Sequence, residues 1–183
     1  VGFRHFQDFF RSYHFERVVT NTLRISLTQL LFGFPAPIIL ALLVNEIDSM
    51  RFKRVVQTVT YLPHFVSIVV ICGLIMEFSQ TEGLFNWIRG LFGLEAKSLL
   101  NQPKFFVPVY VASGIWQHIG WNSIIYLSAI AAINPELYEA AVVDGAGRLR
   151  QAVHITLPGI APTVIVLLIL RVGEIMNVGF EKI

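Results

Sequence analysis

Four stretches of about twenty mostly apolar residues recur along the chain, and nothing else in it restricts the fold as strongly. They are "ISLTQLLFGFPAPIILALLV" at 25–44, "VTYLPHFVSIVVICGLIMEF" at 59–78, a longer one at 105–133, and "IAPTVIVLLILRVGEIMNVGF" at 160–180. A helix of about 20 apolar residues matches the hydrocarbon core of a bilayer, where only helices and closed barrels satisfy their own backbone. One such stretch alone reads as a buried helix of a soluble domain; four in 183 residues do not. The sequence therefore predicts an all-α, polytopic membrane protein. Charge agrees: 14% of residues are Asp, Glu, Lys or Arg, against about 25% in soluble domains. A formal charge of +2 without a dense basic tract argues against nucleic acid. Cys72 stands alone, which excludes an intrachain disulfide and a Cys-based metal centre and leaves a small buried hydrophobe.

Pro35 and Pro37 are expected to kink the first stretch, and Pro63 lies near the start of the second. The third exceeds one crossing, so it is read as tilted or as beginning with an interfacial turn, and its "GIWQHIGWNS" patch needs a face away from lipid. Three connections follow, at 45–58, 79–104 and 134–159. The second alternates Phe, Trp and Leu with charges and reads as an amphipathic helix at the membrane surface; residues 1–22 have a similar interfacial character. The chain starts at Val1 with no cleavable signal peptide and reads as an internal piece of a longer protein. Lys and Arg do not orient it, because the two sides carry five and six.

The connection "NPELYEAAVVDGAGRLRQAVHITLP", residues 134–158, is built differently from an ordinary loop. Asn134 is a good N-cap, Pro135 falls at the first helical position, and Glu136 meets the positive end of the helix dipole. These predict a short helix from Pro135 to about Val143, ended by Gly145 in a positive-φ conformation. A second short helix follows at about 147–156, with Leu149, Ala152, Val153 and Thr156 on one semi-apolar face. Pro158 then opens the last apolar stretch as an N1 residue. Small Ala140 and Ala141 leave room for another backbone to approach.

The stretch resembles the EAA loop of ABC importer permeases, whose pattern is Glu-Ala-Ala, three residues, Gly, nine residues, Ile, one residue, Leu-Pro. Glu139, Ala140, Ala141, Gly145, Ile155, Leu157 and Pro158 match every fixed position, and Asp144 gives the frequent "DGA" form. "NTLRISL" at 21–27, "YLPHFVS" at 61–67 and "GIWQHIGWNSIIYLSAI" at 114–130 are similar to carbohydrate importers of this family. "RVGEIMNVGFEKI" at 171–183 is similar to the subgroup handling polysaccharide-derived and aldouronate oligosaccharides. The resemblance implies a type I ABC importer permease core, with four of the usual six spans in this fragment. It implies a multi-pass protein of a bacterial plasma membrane, with residues 134–159 cytoplasmic.

The family implies the mechanism and the partners. Two separate ATPase subunits bind ATP and Mg²⁺, and each receives an EAA helix in a surface groove. A second permease subunit completes the path as a heterodimer, and an extracellular solute-binding lipoprotein delivers cargo. The chain itself is expected to hold no cofactor and no metal and to be no enzyme. No glycine here is followed by lysine, so the phosphate-gripping G-x-x-x-x-G-K-[ST] loop is absent. Glu139 would pair with a basic group or cap backbone donors on the ATPase, and Gly145 would fix the angle between the short helices.

For the cargo path the candidates are Arg171, Glu174 and Asn177, with Trp116, Asn122 and Ser123 as weaker ones. Arg171 lies 11 residues beyond Ile160, about 16 Å along a helix and near the bilayer middle. A charge there is costly and turns inward, and Glu174 is three residues on, close enough to pair. Two readings stand equally: a lining that hydrogen-bonds sugar hydroxyls and uronates, or an ion pair that only holds helices together. His64, His118 and His154 are too dispersed in sequence for a metal site. The alternatives are a permease for a peptide or phosphate and an intramembrane serine protease. The last has Ser113-Gly114 and His118 without G-x-S-x-G or a third orienting group.

Overall fold

Prolines decide where the helices of this chain bend. The computed structural model describes residues 3, 7, 10, 13–97, 100 and 102–175, and every regular element among them is helical. Helix α1 (Tyr13–Thr28) passes through a π turn (Gln29–Gly33) into α2 (Pro35–Asn45). Pro35 and Pro37 lack the N–H groups that would reach Leu31 and Gly33, and their rings crowd those carbonyls. The wider turn relieves the crowding, and one helix continues over Phe15–Asn45. The interfacial segment expected over residues 1–22 thus belongs, from Tyr13 on, to this helix. Its first part falls mostly outside the described residues.

The single helix expected over 59–78 is broken. Helix α3 (Met50–Tyr61) starts at Ser49, whose Oγ accepts from the Phe52 N–H at 3.5 Å. Pro63 cannot donate to Val59, so the chain tightens into a 3₁₀ turn (Leu62–Phe65). Val66 and Ser67 then take ψ values of 133° and 138°, outside the helical region. Helix α4 (Ile68–Phe78) leaves at 99° to the preceding segment. Within the connection 79–104, helix α5 (Leu84–Leu91) exposes Leu84, Trp87, Ile88 and Leu91 along one stripe. Buried Asn86 fastens it from the other side: its Nδ2 donates to Gln80 O at 2.7 Å and Lys97 O at 2.8 Å, and its Oδ1 accepts from Lys97 N at 3.0 Å.

Helix α6 (Pro103–Ala131) is unbroken despite Pro108 and forms the centre of the bundle, packing most extensively on α2. Its buried residues recur every third or fourth position: Val111, Gly114, Gln117, Gly120, Ser123, Tyr126 and Ile130. That stripe accounts for Gln117, Gly120 and Ser123 in the patch "GIWQHIGWNS": they turn into protein. Gln117 reaches the broken helix, its Nε2 lying 3.5 Å from Val66 O.

Helix α7 (Pro135–Val143) and helix α8 (Arg148–Gln151) follow, then a π turn (Ala152–Thr156) and α9 (Leu157–Gly173). Ala41, Tyr126, Ile130 and Ile160 form the buried core where α2, α6 and α9 converge, with Ile38, Leu127 and Val164 packed around them. By length and composition Phe15–Asn45 and Arg148–Gly173 each suffice to cross a membrane, and the bent pair Met50–Phe65 and Ile68–Phe78 is a third candidate.

Candidate functional site

At one end of the bundle α7 and α8 form an elbow. Asn134 caps α7: its Oδ1 accepts from the Glu136 N–H at 3.1 Å. The far end closes as a Schellman motif around Gly145, whose φ is +72°. Gly145 N donates to Val142 O at 3.0 Å and Ala146 N to Ala141 O at 2.8 Å. Gln151 Nε2 then donates to Ala146 O at 2.8 Å, which fastens the turn to the second arm. Tyr138 and Thr156 hydroxyls meet at 2.9 Å and pin α7 to the π turn. The elbow encloses a crevice of about 270 Å³ lined by Ala141, Asp144, Ala146, Gln151, His154 and Ile155 among others. Glu139 and Ala140 are exposed on the outer side of α7, and Leu157 and Pro158 are exposed at the start of α9.

The second arm differs from expectation. Residues 147–156 do not form a separate helix, and Pro158 does not open a new one: a single helix runs over Arg148–Gly173. Pro158 lacks the N–H that would reach His154 and crowds its carbonyl, and the π turn at Ala152–Thr156 absorbs the conflict without breaking the rod. The expected semi-apolar face divides: Leu149 and Val153 are exposed, whereas Thr156 is buried at 2%.

One residue that the loop pattern does not mark ties the elbow to the bundle. Arg148 donates from one terminal nitrogen to Asp48 Oδ2 at 2.8 Å and from the other to Glu46 O at 3.1 Å. Its Nε lies 3.9 Å from Glu46 Oε2. The hydrogen bond to Asp48, the charge of Asp48 and that of Glu46 raise the guanidinium above its ordinary value. Connections 45–58 and 134–159 therefore lie at the same end of the molecule.

Further along the rod, two neighbouring cavities of about 190 and 220 Å³ share Gly33, Asn122 and Arg171. The first adds Phe34, Pro37, Tyr126, Leu167 and Glu174; the second adds Gln29, Gly114, His118 and Ile119. Arg171 and Glu174 pair loosely, NH1 to Oε2 at 3.6 Å, with side chains 45% and 65% exposed. Ser26 Oγ donates to Ile175 O and holds this end of the rod against α1. Among the sequence candidates, Arg171, Glu174 and Asn122 line this groove. Trp116 lines neither cavity and is exposed, because the cavity face of α6 passes through Ile115, His118 and Asn122, about 100° around. Ser123 is buried and donates to Gly120 O at 2.6 Å. Asn177 lies outside the described residues.

Of His64, His118 and His154, two are brought together by the fold. His154 is apart, its Nδ1 3.0 Å from Arg150 O, but His64 and His118 meet at 3.2 Å between their Nδ1 atoms. His64 further stacks on Trp121 with ring centroids 4.4 Å apart. Folding joins residues 54 positions apart here, a proximity that sequence spacing does not signal. Among the described residues no three metal-binding side chains gather.

Known proteins are similar to this chain in sequence and in fold. The chain is 46% identical over 185 residues to Protein LplB of Bacillus subtilis (strain 168), spanning all of this chain and 58% of the relative. It is 45% identical over 184 residues to the polygalacturonan/rhamnogalacturonan transport system permease protein YteP of the same strain, again spanning all of this chain and 57% of the relative. A crystal structure of a bacterial alginate ABC transporter, in complex with an alginate pentasaccharide-bound periplasmic protein, contains a chain 49% identical with a TM-score of 0.96. The match covers 99% of this chain and 63% of that one. The profile of one transporter family spans residues 23–178. The chain belongs to the family of binding-protein-dependent transport system inner membrane components.

Proposed function

We propose that this chain is the core of a permease subunit in an ATP-driven importer of acidic oligosaccharides, and that residues 134–158 dock on a separate ATPase. One observation carries the reading: the elbow and the polar groove are two parts of one rod. Arg148 at the elbow and Arg171 at the groove lie 23 residues apart on the uninterrupted helix Arg148–Gly173, roughly 35 Å at 1.5 Å per residue. Work done on the elbow thus reaches the groove without crossing a flexible joint. The subunit hydrolyses no ATP itself; its partners are the ATPases, a second permease and an extracellular solute-binding lipoprotein.

In this reading residues 25–44, 59–78, 105–133 and the rod from 160 onward cross the bilayer, with connections 45–58 and 134–159 in the cytoplasm. The groove offers the Arg171 guanidinium, only loosely paired with Glu174, and the neutral amides of Gln29 and Asn122, a set suited to carboxylates and hydroxyls of a uronate chain. The acidic polysaccharides named for the relatives fit that chemistry.

Reconstitution of the full-length protein with its partner subunits in proteoliposomes tests the proposal. Uronate oligosaccharide uptake is expected to require ATP, and Arg171→Gln is expected to lower it roughly tenfold, since a charge-assisted hydrogen bond contributes about 1.5–3 kcal/mol. Uptake of uronate oligosaccharides unchanged by Arg171→Gln would take the groove out of the path. Uptake of peptide or phosphate instead would replace the cargo assignment.

A further inference from the structure

We propose that Arg148 is a positioning residue that makes the elbow drive the α2–α3 connection together with α9. The inference rests on the docking reading of residues 134–158. The elbow is covalently continuous with α6 on one side and α9 on the other, but α2 and α3 are joined to it by no short stretch of chain. Arg148 supplies that joint across 100 residues of sequence. Its guanidinium addresses Asp48 Oδ2 at 2.8 Å, Glu46 O at 3.1 Å and Glu46 Oε2 at 3.9 Å. A planar fork reaches several acceptors on one tight connection at once, which a lysine ammonium does not reproduce.

The pair is open to water, with side chains 64% and 83% exposed. Exposed pairs contribute little to folding, so the contact is better understood as setting geometry. The geometry matters because the groove is lined by three elements, with Asn122 and Tyr126 contributed by α6. Phe34 and Pro37 belong to the α1–α2 helix, and Leu167, Leu170 and Arg171 belong to α9. Arg148 joins the end of α2 to the start of the α8–α9 rod at one point. A push on the elbow reaches α6 and α9 through the chain itself and the α1–α2 wall directly through Arg148; without Arg148, α2 follows only through its packing on α6 and α9.

The test uses the full-length protein with its ATPases, second permease and binding protein in proteoliposomes. Asp48→Arg, which breaks the contact from outside the docking segment, is expected to leave ATPase co-purification and ATP hydrolysis near wild type while uptake per ATP falls about fivefold or more, the scale of an allosteric coupling. Exchanging the charges, Arg148→Asp with Asp48→Arg, is expected to recover part of that ratio. An unchanged ratio in Asp48→Arg, or an exchange no better than the single change, overturns the proposal. Loss of ATPase co-purification in Asp48→Arg also overturns it, because the α2–α3 connection then serves docking itself. Failure of the docking reading itself gives a different result: no cross-link from residues 139–145 to an ATPase in the wild-type complex.

Discussion

Gly120→Ala is expected to cost the protein roughly 1–3 kcal/mol of stability, the range for overpacking a filled interface. The added methyl would lie 2.1 Å from Thr60 O and 2.4 Å from Thr60 C, with Tyr61 Cδ1 at 2.9 Å. Two of those atoms are backbone, so no side-chain rotation gives way. Helices α3 and α6 must separate, and the separation propagates into the 3₁₀ turn and the His64–His118 contact one turn on. Small residues allow such close backbone approach between helices in membranes. The measurement is the thermal midpoint of the detergent-solubilised full-length protein, with membrane yield alongside. Gly90→Ala on α5 is the control, because an added methyl there meets nothing within 4 Å and alanine favours helix by about 0.5–1 kcal/mol. A midpoint for Gly120→Ala equal to that of Gly90→Ala would mean that α3 and α6 do not approach this closely.

How far the sequence foretells such features depends on the distance over which they are determined. Helix α7 is legible from its two ends because its signals are local: Asn134 caps, Pro135 starts and Gly145 stops within twelve positions. The Arg171–Glu174 pair was legible for the same reason, one turn of helix apart. Prolines were legible as conflicts but not as outcomes. Pro35, Pro63 and Pro158 each deny a helix one donor, yet two are absorbed in π turns and one ends in a 99° bend. Which result follows depends on neighbouring helices; at the break that follows Pro63, Gln117 of α6 stands beside the Val66 carbonyl. Arg148 with Asp48, and His64 with His118, join residues 100 and 54 positions apart. No short-range pattern encodes either pairing. Trp116 shows how residue type and helix do not fix the face: it shares α6 with Asn122 but lines neither cavity.

The absorbed proline at 158 changes what the loop motif means mechanically. Two helices joined at a proline would flex where the elbow meets the membrane helix and dissipate a push. A π turn keeps the hydrogen-bonded rod intact and adds a local bulge, and Tyr138 clamps that bulge through Thr156 at 2.9 Å. The remaining compliance of the device therefore lies in the turn between α7 and α8, where Gly145 sits.

Uptake is accordingly expected to fall progressively from wild type through Gly145→Asn and Gly145→Ala to Gly145→Val. A side chain there meets nothing within 4 Å, so bulk is not the obstacle. The obstacle is the φ of +72°, which asparagine tolerates, alanine adopts at about 1–2 kcal/mol and a β-branched residue scarcely adopts at all. If docking requires the elbow as it stands, Gly145→Ala loses roughly five- to thirtyfold of the competent population, and Gly145→Val loses more. Glu139→Ala is expected to lower uptake by a different route, leaving the elbow's shape unchanged and removing an exposed charge from α7. Membrane insertion, followed by protein level in the membrane fraction, should be unaffected in all of them, because Glu139 and Gly145 both lie outside the packed core. Transport by the Gly145→Val variant equal to that of wild type would show that the angle between α7 and α8 is irrelevant to coupling. Unaltered uptake in both Gly145→Val and Glu139→Ala would remove the docking role from residues 134–158 altogether.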